Sequence, residues 1–282
     1  MKTQRKGIGR QRGFTLVEMS VTMVIAGLLF AAVTTGQELV AQAKATKLVG
    51  EIKLAEMQLQ RYNQAKGRFP GDCNADGIID YAADANAASV SLRGDTANAS
   101  RAAEYSYSVL LPTEPLDGAE ATAQENGCAL NGDATDPLAT VTTSTTNANV
   151  WLNDLKLAGV VSDSAPNVKL AKLVHEDFMF VGKVTDGGGE SADPADYNAI
   201  VIHNVPQWMA RRLSTAINGQ DARADRSRLR LLTRTSTDGT YATKWDSATA
   251  SPAAAEMRDS MVTVVYFFDL VPESQAGGAS SI

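Results

Sequence analysis

The sequence predicts an α+β fold in which one long N-terminal helix packs on an antiparallel β-sheet. Apolar residues follow one another from about residue 14 to Val33 and then recur at helical spacing to about Gln64, with no proline in between. Beyond residue 149, short β-rich segments bounded by Gly, Asp and Pro alternate with short helical patterns. A typical sheet of this size class has about four strands. These observations together predict the α+β class.

The helix begins with a segment suited to a membrane. The residues before Gly13 carry five Lys or Arg and no acid, and some twenty mostly apolar residues follow. Such a run can cross a bilayer core of roughly 30 Å, and the basic flank should stay cytoplasmic. Glu18 is the single carboxylate near the start of the run. Because a charge in lipid costs about 2.5–3.5 kcal/mol on insertion scales, Glu18 is a candidate functional residue.

Three interpretations of this segment compete. A secretory signal peptide fits poorly, because the run is long, Glu18 interrupts its start and only Ala31-Ala32 could serve as a cleavage site. A plain signal anchor leaves Gly13 and Glu18 unexplained. In the third, the order Gly-Phe-Thr-Leu-Val-Glu over residues 13–18, behind a basic leader, resembles the signal of type IV pilins and type II secretion pseudopilins.

The resemblance implies that a prepilin peptidase cuts on the cytoplasmic side between Gly13 and Phe14 and methylates the new Phe14 amine. Glu18 lies one helical turn further on, so it could pair with that amine or with the amine of a neighbouring subunit. Pairing two charges in low dielectric offsets part of the cost of burying each. In this hypothesis Glu18 sets the axial register of the filament. The alternative is a shallow Glu18 whose carboxylate reaches the membrane interface.

The first helix is predicted to continue past the membrane over residues 14–65. Apolar residues recur three and four apart from Ala45 to Tyr62, with charged and polar residues between them. Gly67 and Pro70 end the pattern.

The domain organisation follows from this helix. Residues 1–13 are the leader, and residues 14–34 lie in the membrane or the filament core. Residues 66–282 form a periplasmic or extracellular head. Within the head, residues 82–149 are rich in Ala, Thr, Asn, Ser, Asp and Gly and are predicted to be a long irregular insertion.

The segment after the helix has the spacing of a calcium loop, with alternating oxygen-bearing side chains and a glycine for the sharp turn. The predicted Ca²⁺ ligands are Asp72, Asn74, Asp76, the Ile78 carbonyl and Asp80. The twelfth position, where an EF-hand has Glu, is Ala83, so the bidentate ligand is missing or displaced. The alternative is a plain Asn/Asp/Gly turn. The spacing therefore has two interpretations: a site for Ca²⁺ as a candidate cofactor, and a turn with a purely structural role.

The chain has two cysteines, Cys73 and Cys128. Both follow the membrane segment, so an oxidising compartment is expected and one disulfide between them is the simplest prediction. Two thiols that never meet are the alternative.

Charge argues against a nucleic-acid partner. The net charge is −6, and removal of the leader leaves 21 Lys and Arg against 32 Asp and Glu, a net charge of −11. Nucleic-acid binding requires a basic patch.

Ordered structure is expected to resume at residue 149. Helical spacing covers residues 151–160, with Trp151 as a core residue, and residues 206–217. Strands are predicted at 178–184, 197–202, 229–234 and 261–270, the last buried on both faces.

The predicted function is structural. Neither of the two histidines belongs to a recognisable catalytic motif, so an enzyme is not expected.

The resemblance implies a minor pilin or pseudopilin of a type IV pilus or type II secretion system. Its partners would be prepilin peptidase, other pilin or pseudopilin subunits, the inner membrane and the assembly platform. Before assembly it would span the inner membrane once with a periplasmic head. A calcium-dependent adhesin on a pilin stem and a signal-anchored periplasmic enzyme are the alternatives.

Overall fold

The computed structural model describes residues 15–83, 105, 148–185, 195–220, 223, 225–232, 241, 245 and 261–272. The chain divides into two compact units, Met1–Lys44 and Ala45–Ile282. A long N-terminal apolar helix and a four-stranded antiparallel sheet confirm the predicted α+β class. The predicted insertion at 82–149 falls almost wholly outside the described residues.

The described helices and strands follow the predicted order closely. They are α1 (Leu16–Lys66), α2 (Val150–Leu157), α3 (Asn167–Ala171), β1 (Met179–Thr185), β2 (Asp196–Pro206), α4 (Gln207–Asn218), β3 (Leu229–Leu231) and β4 (Met261–Phe267). Only α3, five residues long, has no counterpart in the sequence-based assignment.

The first unit contains the N-terminal part of α1. Its large apolar side chains are exposed, for example Leu16 at 86% and Phe30 at 73%. By length and composition α1 could cross a membrane. An exposed apolar helix in water would be costly, so this surface needs lipid or protein around it.

The sheet in the second unit has the order β1-β2-β4-β3, and every neighbouring pair is antiparallel. β4 therefore has a strand on each side, and all its residues except Met261 are buried. This confirms the prediction of a strand buried on both faces, which its nearly continuous apolar sequence indicated.

Residues of α1 from Ala45 onward contribute one face to the core of the second unit. The buried positions are Ala45, Leu48, Ile52, Ala55, Leu59 and Tyr62. A polar triad joins the helix to β4. Lys53 donates to the Glu56 carboxylate at 2.8 Å and to the Tyr266 hydroxyl at 2.7 Å, and Tyr266 donates to Glu56 at 2.9 Å. Glu51 also accepts from the Val174 amide at 2.9 Å. Helix and head are thus joined by hydrogen bonds as well as by apolar packing.

The chain after α1 returns to the edge of the sheet. The Lys183 amide donates to the Tyr81 carbonyl at 2.7 Å, and Ala82 forms a bridge with Lys183. Gly182 makes this approach possible, because a Cβ at that position would lie 2.2 Å from the Tyr81 carbonyl oxygen. Residues 81 and 82 thereby cover part of the free edge of β1.

Helix α2 buries seven of its eight residues, including Trp151 at 1% exposure, which confirms Trp151 as a core residue. Lys156 on the same helix is only 4% exposed, and its Nζ has no hydrogen-bond partner. Burial lowers the pKa of Lys156, while the charge of Asp163 opposes this shift. A buried ammonium without a partner is a cost to the folded state.

Replacing Lys156 by methionine should therefore stabilise the head at neutral pH, by about 1–2 kcal/mol. Since the folded-state pKa of Lys156 is lowered, the wild-type penalty is full below that pKa and disappears as pH rises towards 10.5. Thermal melts of both proteins at pH 7 and pH 10 check this. An equal or lower melting temperature for Lys156→Met at pH 7 would contradict it, and Lys169→Met, at an exposed position, is the control.

Candidate functional site

The first turn of α1 is held by a reciprocal pair of hydrogen bonds between Thr15 and Glu18. The Thr15 amide and hydroxyl each donate to the Glu18 carboxylate at 2.9 Å. In return, the Glu18 amide donates to the Thr15 hydroxyl at 3.3 Å. This is a capping box, with Thr15 at the N-cap and Glu18 at the third helical position. It fixes both the start of the helix and the side-chain direction of Glu18.

The polar side chains in the apolar part of α1 are satisfied within the helix itself. Each hydroxyl donates to a carbonyl three or four residues earlier, at 2.8–3.0 Å: Ser20 to Val17, Thr22 to Met19, and Thr34 and Thr35 to Ala31. Such back-bonding removes free donors that would be costly in hydrocarbon. The Glu18 carboxylate carries a negative charge, and this charge still needs a polar or positively charged environment.

The predicted processing residues Gly13 and Phe14 lie outside the described residues, so their roles stay predictions. Glu18 is described and lies in the first turn of α1, as predicted. Thr15 was not identified as a functional residue, although a Thr followed three positions later by Glu before an apolar run is the sequence signal of a capping box. This signal identifies Thr15 as a hydrogen-bond partner of Glu18 within the same chain, in addition to the proposed Phe14 amine.

The predicted calcium loop is arranged as a series of side-chain turns. Asn74 accepts from the Asp76 amide at 3.1 Å, and Asp76 accepts from the Ile78 amide at 2.7 Å. The Asn74 amide group also donates to the second Asp76 oxygen at 2.8 Å. Gly77 has φ +92°, the positive value that the sharp turn requires. These contacts correspond to the plain Asn/Asp/Gly turn considered as the alternative.

The two other carboxylates of the loop are buried and accept from its backbone. Asp72 accepts from the Gly77 amide at 3.0 Å, and Asp80 from the Cys73 amide at 2.9 Å. Burial raises the pKa of both carboxyl groups, and these hydrogen bonds oppose the shift. The second oxygen of Asp72 has no hydrogen-bond partner. The loop therefore contains buried negative charge that is only partly compensated.

Two head residues anchor the loop. Asp154 on α2 accepts from the Gly71 amide at 2.9 Å. Asn198 on β2 accepts from the Ile79 amide at 2.8 Å and donates to the Gly77 carbonyl at 2.7 Å. The loop is consequently fixed to the head at both ends, independently of any ion.

The structure does not bring the predicted calcium ligands into one cluster. Within the described parts of the chain, no group of three or more His, Cys, Asp or Glu side chains could hold a metal ion. Asp72 and Asp80 instead point oxygens at backbone amides. Calcium binding stays a prediction, favoured by the sequence spacing and by the unpartnered Asp72 oxygen.

Calcium binding would stabilise the head. A ligand at a hundred times its dissociation constant adds about 2.7 kcal/mol, which corresponds to roughly 5–10 °C for a domain of this size. Melting curves of the detergent-solubilised chain with millimolar CaCl₂ and with EDTA measure this shift, and Asp72→Asn should abolish it. Equal melting temperatures in CaCl₂ and EDTA would contradict calcium binding.

The predicted disulfide is also not established by the structure, because Cys128 lies outside the described residues. Cys73 lies in the loop, where its amide donates to Asp80. The bridge stays a prediction that mass spectrometry before and after reduction would check.

Comparison with known proteins identifies the N-terminal segment. Residues 8–34 match the family model of the prokaryotic N-terminal methylation motif, the prepilin-type signal of type IV pilins and pseudopilins. No curated protein and no solved structure matches the chain significantly. The motif confirms the resemblance seen in the sequence and supports a pilin-like or pseudopilin subunit. It implies processing by prepilin peptidase and assembly with other pilin subunits.

Proposed function

We propose that this chain is a minor subunit of a type IV pilus or of a type II secretion pseudopilus. In this proposal prepilin peptidase cuts between Gly13 and Phe14 and methylates the Phe14 amine. The subunit then leaves the inner membrane and enters the filament through α1. The observation that carries the proposal is the methylation motif at residues 8–34, placed directly on a long apolar helix.

The geometry of the first turn supports a role for Glu18 in assembly. The hydrogen bonds from Thr15 hold the Glu18 carboxylate at the very start of α1, close in sequence to Phe14. Once the leader is removed, a positive amine would lie at this end of the helix. A carboxylate can accept more than two hydrogen bonds, so Glu18 can keep its Thr15 contacts and still bind an amine from its own or a neighbouring chain.

The head supports the assignment to a minor subunit rather than a bulk one. It extends from residue 66 to residue 282 and includes the predicted insertion at 82–149. A long insertion in the head is more readily tolerated at a tip or at low copy number than in every repeat of a tightly packed filament. In this proposal the head acts by contacts with other subunits and not as an enzyme.

N-terminal mass spectrometry of the protein from its native membrane tests the proposal. The mature chain should begin at Phe14 and carry one methyl group on its amine. In cells without prepilin peptidase the chain should keep its leader. A native polypeptide that begins at Met1, or that has lost the whole apolar segment to signal peptidase, would contradict the proposal.

A further inference from the structure

An arginine-rich segment occupies residues 211–234 of a chain that is otherwise acidic. It contains seven arginines, no lysine and two acids, Asp221 and Asp225, and so has a net charge of +5. The other residues after Gly13 include 14 Lys and Arg against 30 Asp and Glu, a net charge of −16. At physiological ionic strength charges are screened over about 8 Å, so a ligand beside this segment experiences mainly its positive charge. The segment can therefore attract an anion that the rest of the chain repels.

Helix α4 carries the first two arginines on its exposed side. Residues spaced at i, i+3, i+4 and i+7 form this side, namely Trp208, Arg211, Arg212 and Thr215. Trp208 is half-buried and the other three residues are exposed. The opposite side is buried in the head and includes Met209, Ala210 and Leu213. Packing of that side fixes which face of α4 is turned to solvent.

Hydrogen bonds bring the later arginines to the C-terminal end of α4. The Asn218 side chain, at the end of the helix, accepts from the Leu229 amide at 3.0 Å and donates to the Leu229 carbonyl at 2.8 Å. Arg228 directly precedes Leu229, and Arg226 lies two residues before Arg228. Arg212 is six residues before Asn218, about 9 Å along the helix axis. The two groups of arginines are therefore neighbours on the head.

Three of these arginines can still bind an anion. Arg212 and Arg226 are exposed, and within the part of the chain that the structure describes their guanidinium groups form no hydrogen bond or ion pair. Arg228 is exposed and donates from one nitrogen to the Phe268 carbonyl at 2.9 Å, which leaves its other donors. A planar guanidinium can donate two parallel hydrogen bonds to a phosphate group, which a lysine ammonium cannot do.

Anionic phospholipid headgroups fit this surface better than a long polyanion does. A nucleic acid carries phosphates along its whole length, so it would extend from the arginines onto the acidic remainder of the chain. Headgroups are separate charges that diffuse laterally and can collect at the arginines alone. The chain also contains α1, which could cross a membrane and would keep the head close to headgroups. Trp208 is of a residue type that is enriched at membrane–water interfaces.

We propose that the surface formed by Trp208, Arg212, Arg226 and Arg228 binds the phosphate groups of anionic phospholipids in the membrane that α1 enters. The proposal goes beyond the proposed function and uses only its membrane-anchoring part. Before assembly, this contact holds the head against the membrane in one orientation. The contact must break when the subunit leaves the lipid.

Energy transfer from the head to labelled headgroups tests the proposal. The full-length chain is reconstituted through α1 into vesicles of phosphatidylcholine, or of phosphatidylcholine and phosphatidylglycerol in equal amounts, each with a trace of dansyl-labelled lipid. Tryptophan fluorescence is the donor. Transfer should be higher in the anionic vesicles and should fall to the neutral value at 1 M salt, where the screening length is about 3 Å. Equal transfer in the two kinds of vesicle would overturn the proposal.

A triple variant assigns the effect to the arginines. Attraction to an anionic membrane falls about fivefold for each charge removed, so Arg212→Gln/Arg226→Gln/Arg228→Gln should reduce the bound population by on the order of a hundredfold. The matched control removes three exposed charges elsewhere and should behave as the wild type: Arg61→Gln/Lys66→Gln/Lys169→Gln. Thermal melting verifies folding, and the wild-type comparison stands without any variant. A folded triple variant that keeps the wild-type difference would overturn the proposal.

Other polyanions are tested on the detergent-solubilised chain with a fluorescent DNA oligonucleotide and a fluorescent acidic peptide. Neither should bind through the three arginines at physiological salt, and binding of either one that the triple variant abolishes would overturn the choice of lipid. Failure of the proposed function looks different. In that case the chain would keep its leader in cells, whereas lipid contact in vesicles does not depend on cleavage after Gly13.

Discussion

Substituting Glu18 by alanine is expected to leave cleavage after Gly13 intact and to reduce incorporation into filaments more than about a hundredfold. Removing one partner of a buried charge pair costs roughly 3–5 kcal/mol, because the other charge is left uncompensated, and 1.4 kcal/mol corresponds to a factor of ten. In the proposed filament the uncompensated group would be a Phe14 amine. The measurement is the fraction of processed protein found in sheared or purified filaments rather than in the membrane.

The capping box allows the charge of Glu18 to be separated from its role in the helix. Glutamine at the third helical position can still accept from the Thr15 amide, as in other capping boxes, but it has no negative charge. Glu18→Gln should therefore fail in assembly almost as severely as Glu18→Ala. Thr15→Ala removes a cap, which costs about 0.5–2 kcal/mol, and keeps the charge, so it should have the milder effect.

The opposite ranking would exclude charge pairing as the role of Glu18. If Glu18→Gln assembles normally while Thr15→Ala and Glu18→Ala do not, the carboxylate acts only by capping α1. If all three variants assemble normally, Glu18 has no part in setting the register. N-terminal mass spectrometry of each variant confirms that processing has taken place and that the comparison concerns assembly alone.

Replacing Gly182 by alanine is expected to destabilise the head by roughly 3 kcal/mol or more. The added Cβ would lie 2.2 Å from the Tyr81 carbonyl oxygen and 2.8 Å from a ring carbon of the same residue. A carbonyl oxygen belongs to the backbone and cannot rotate away, so residues 81 and 82 would have to leave the edge of β1. The hydrogen bond from the Lys183 amide to Tyr81 would then be lost.

Thermal unfolding of the detergent-solubilised chain measures this effect. For a domain of this size, 3 kcal/mol corresponds to a melting temperature lower by roughly 6–12 °C. Gly50→Ala is the matched control, because it adds the same methyl group to an exposed helix position where nothing lies within 4 Å. Alanine there should be neutral or stabilising by up to about 1 kcal/mol. If Gly182→Ala and the wild type had the same melting temperature, the space between Gly182 and Tyr81 would be wide enough for a Cβ, and the prediction would be wrong.

Periodicity and apolar content predicted the elements whose burial repeats along the chain. The spacing of Leu48, Ile52, Ala55 and Leu59 gave the buried face of α1, and those residues are buried in the structure. The nearly continuous apolar run of β4 predicted burial on both faces, which its interior place in the sheet explains. In α1 and β4 the same environment repeats over several helical turns or residue pairs. A local sequence pattern is therefore enough to predict it.

Contacts between residues distant in sequence could not be predicted in this way. Asn198 reads as an ordinary strand residue, but it binds the loop at Ile79 and Gly77. Gly182 likewise gives no local sign that the Tyr81 backbone lies against it. The five residues of α3 are too few for a helical period. In the loop at 72–80 the local sequence pattern is clear but ambiguous. Its spacing of oxygen-bearing side chains suits both a calcium site and the side-chain turns that the structure contains.

The triad of Lys53, Glu56 and Tyr266 has a mechanical consequence. Extraction from a bilayer would put the subunit under tension along α1, and the triad connects that helix to β4. Because β4 lies between β2 and β3, the force would enter an interior strand that is hydrogen-bonded to a neighbour on each side. We expect the head to withstand the pull that draws its stem out of the lipid.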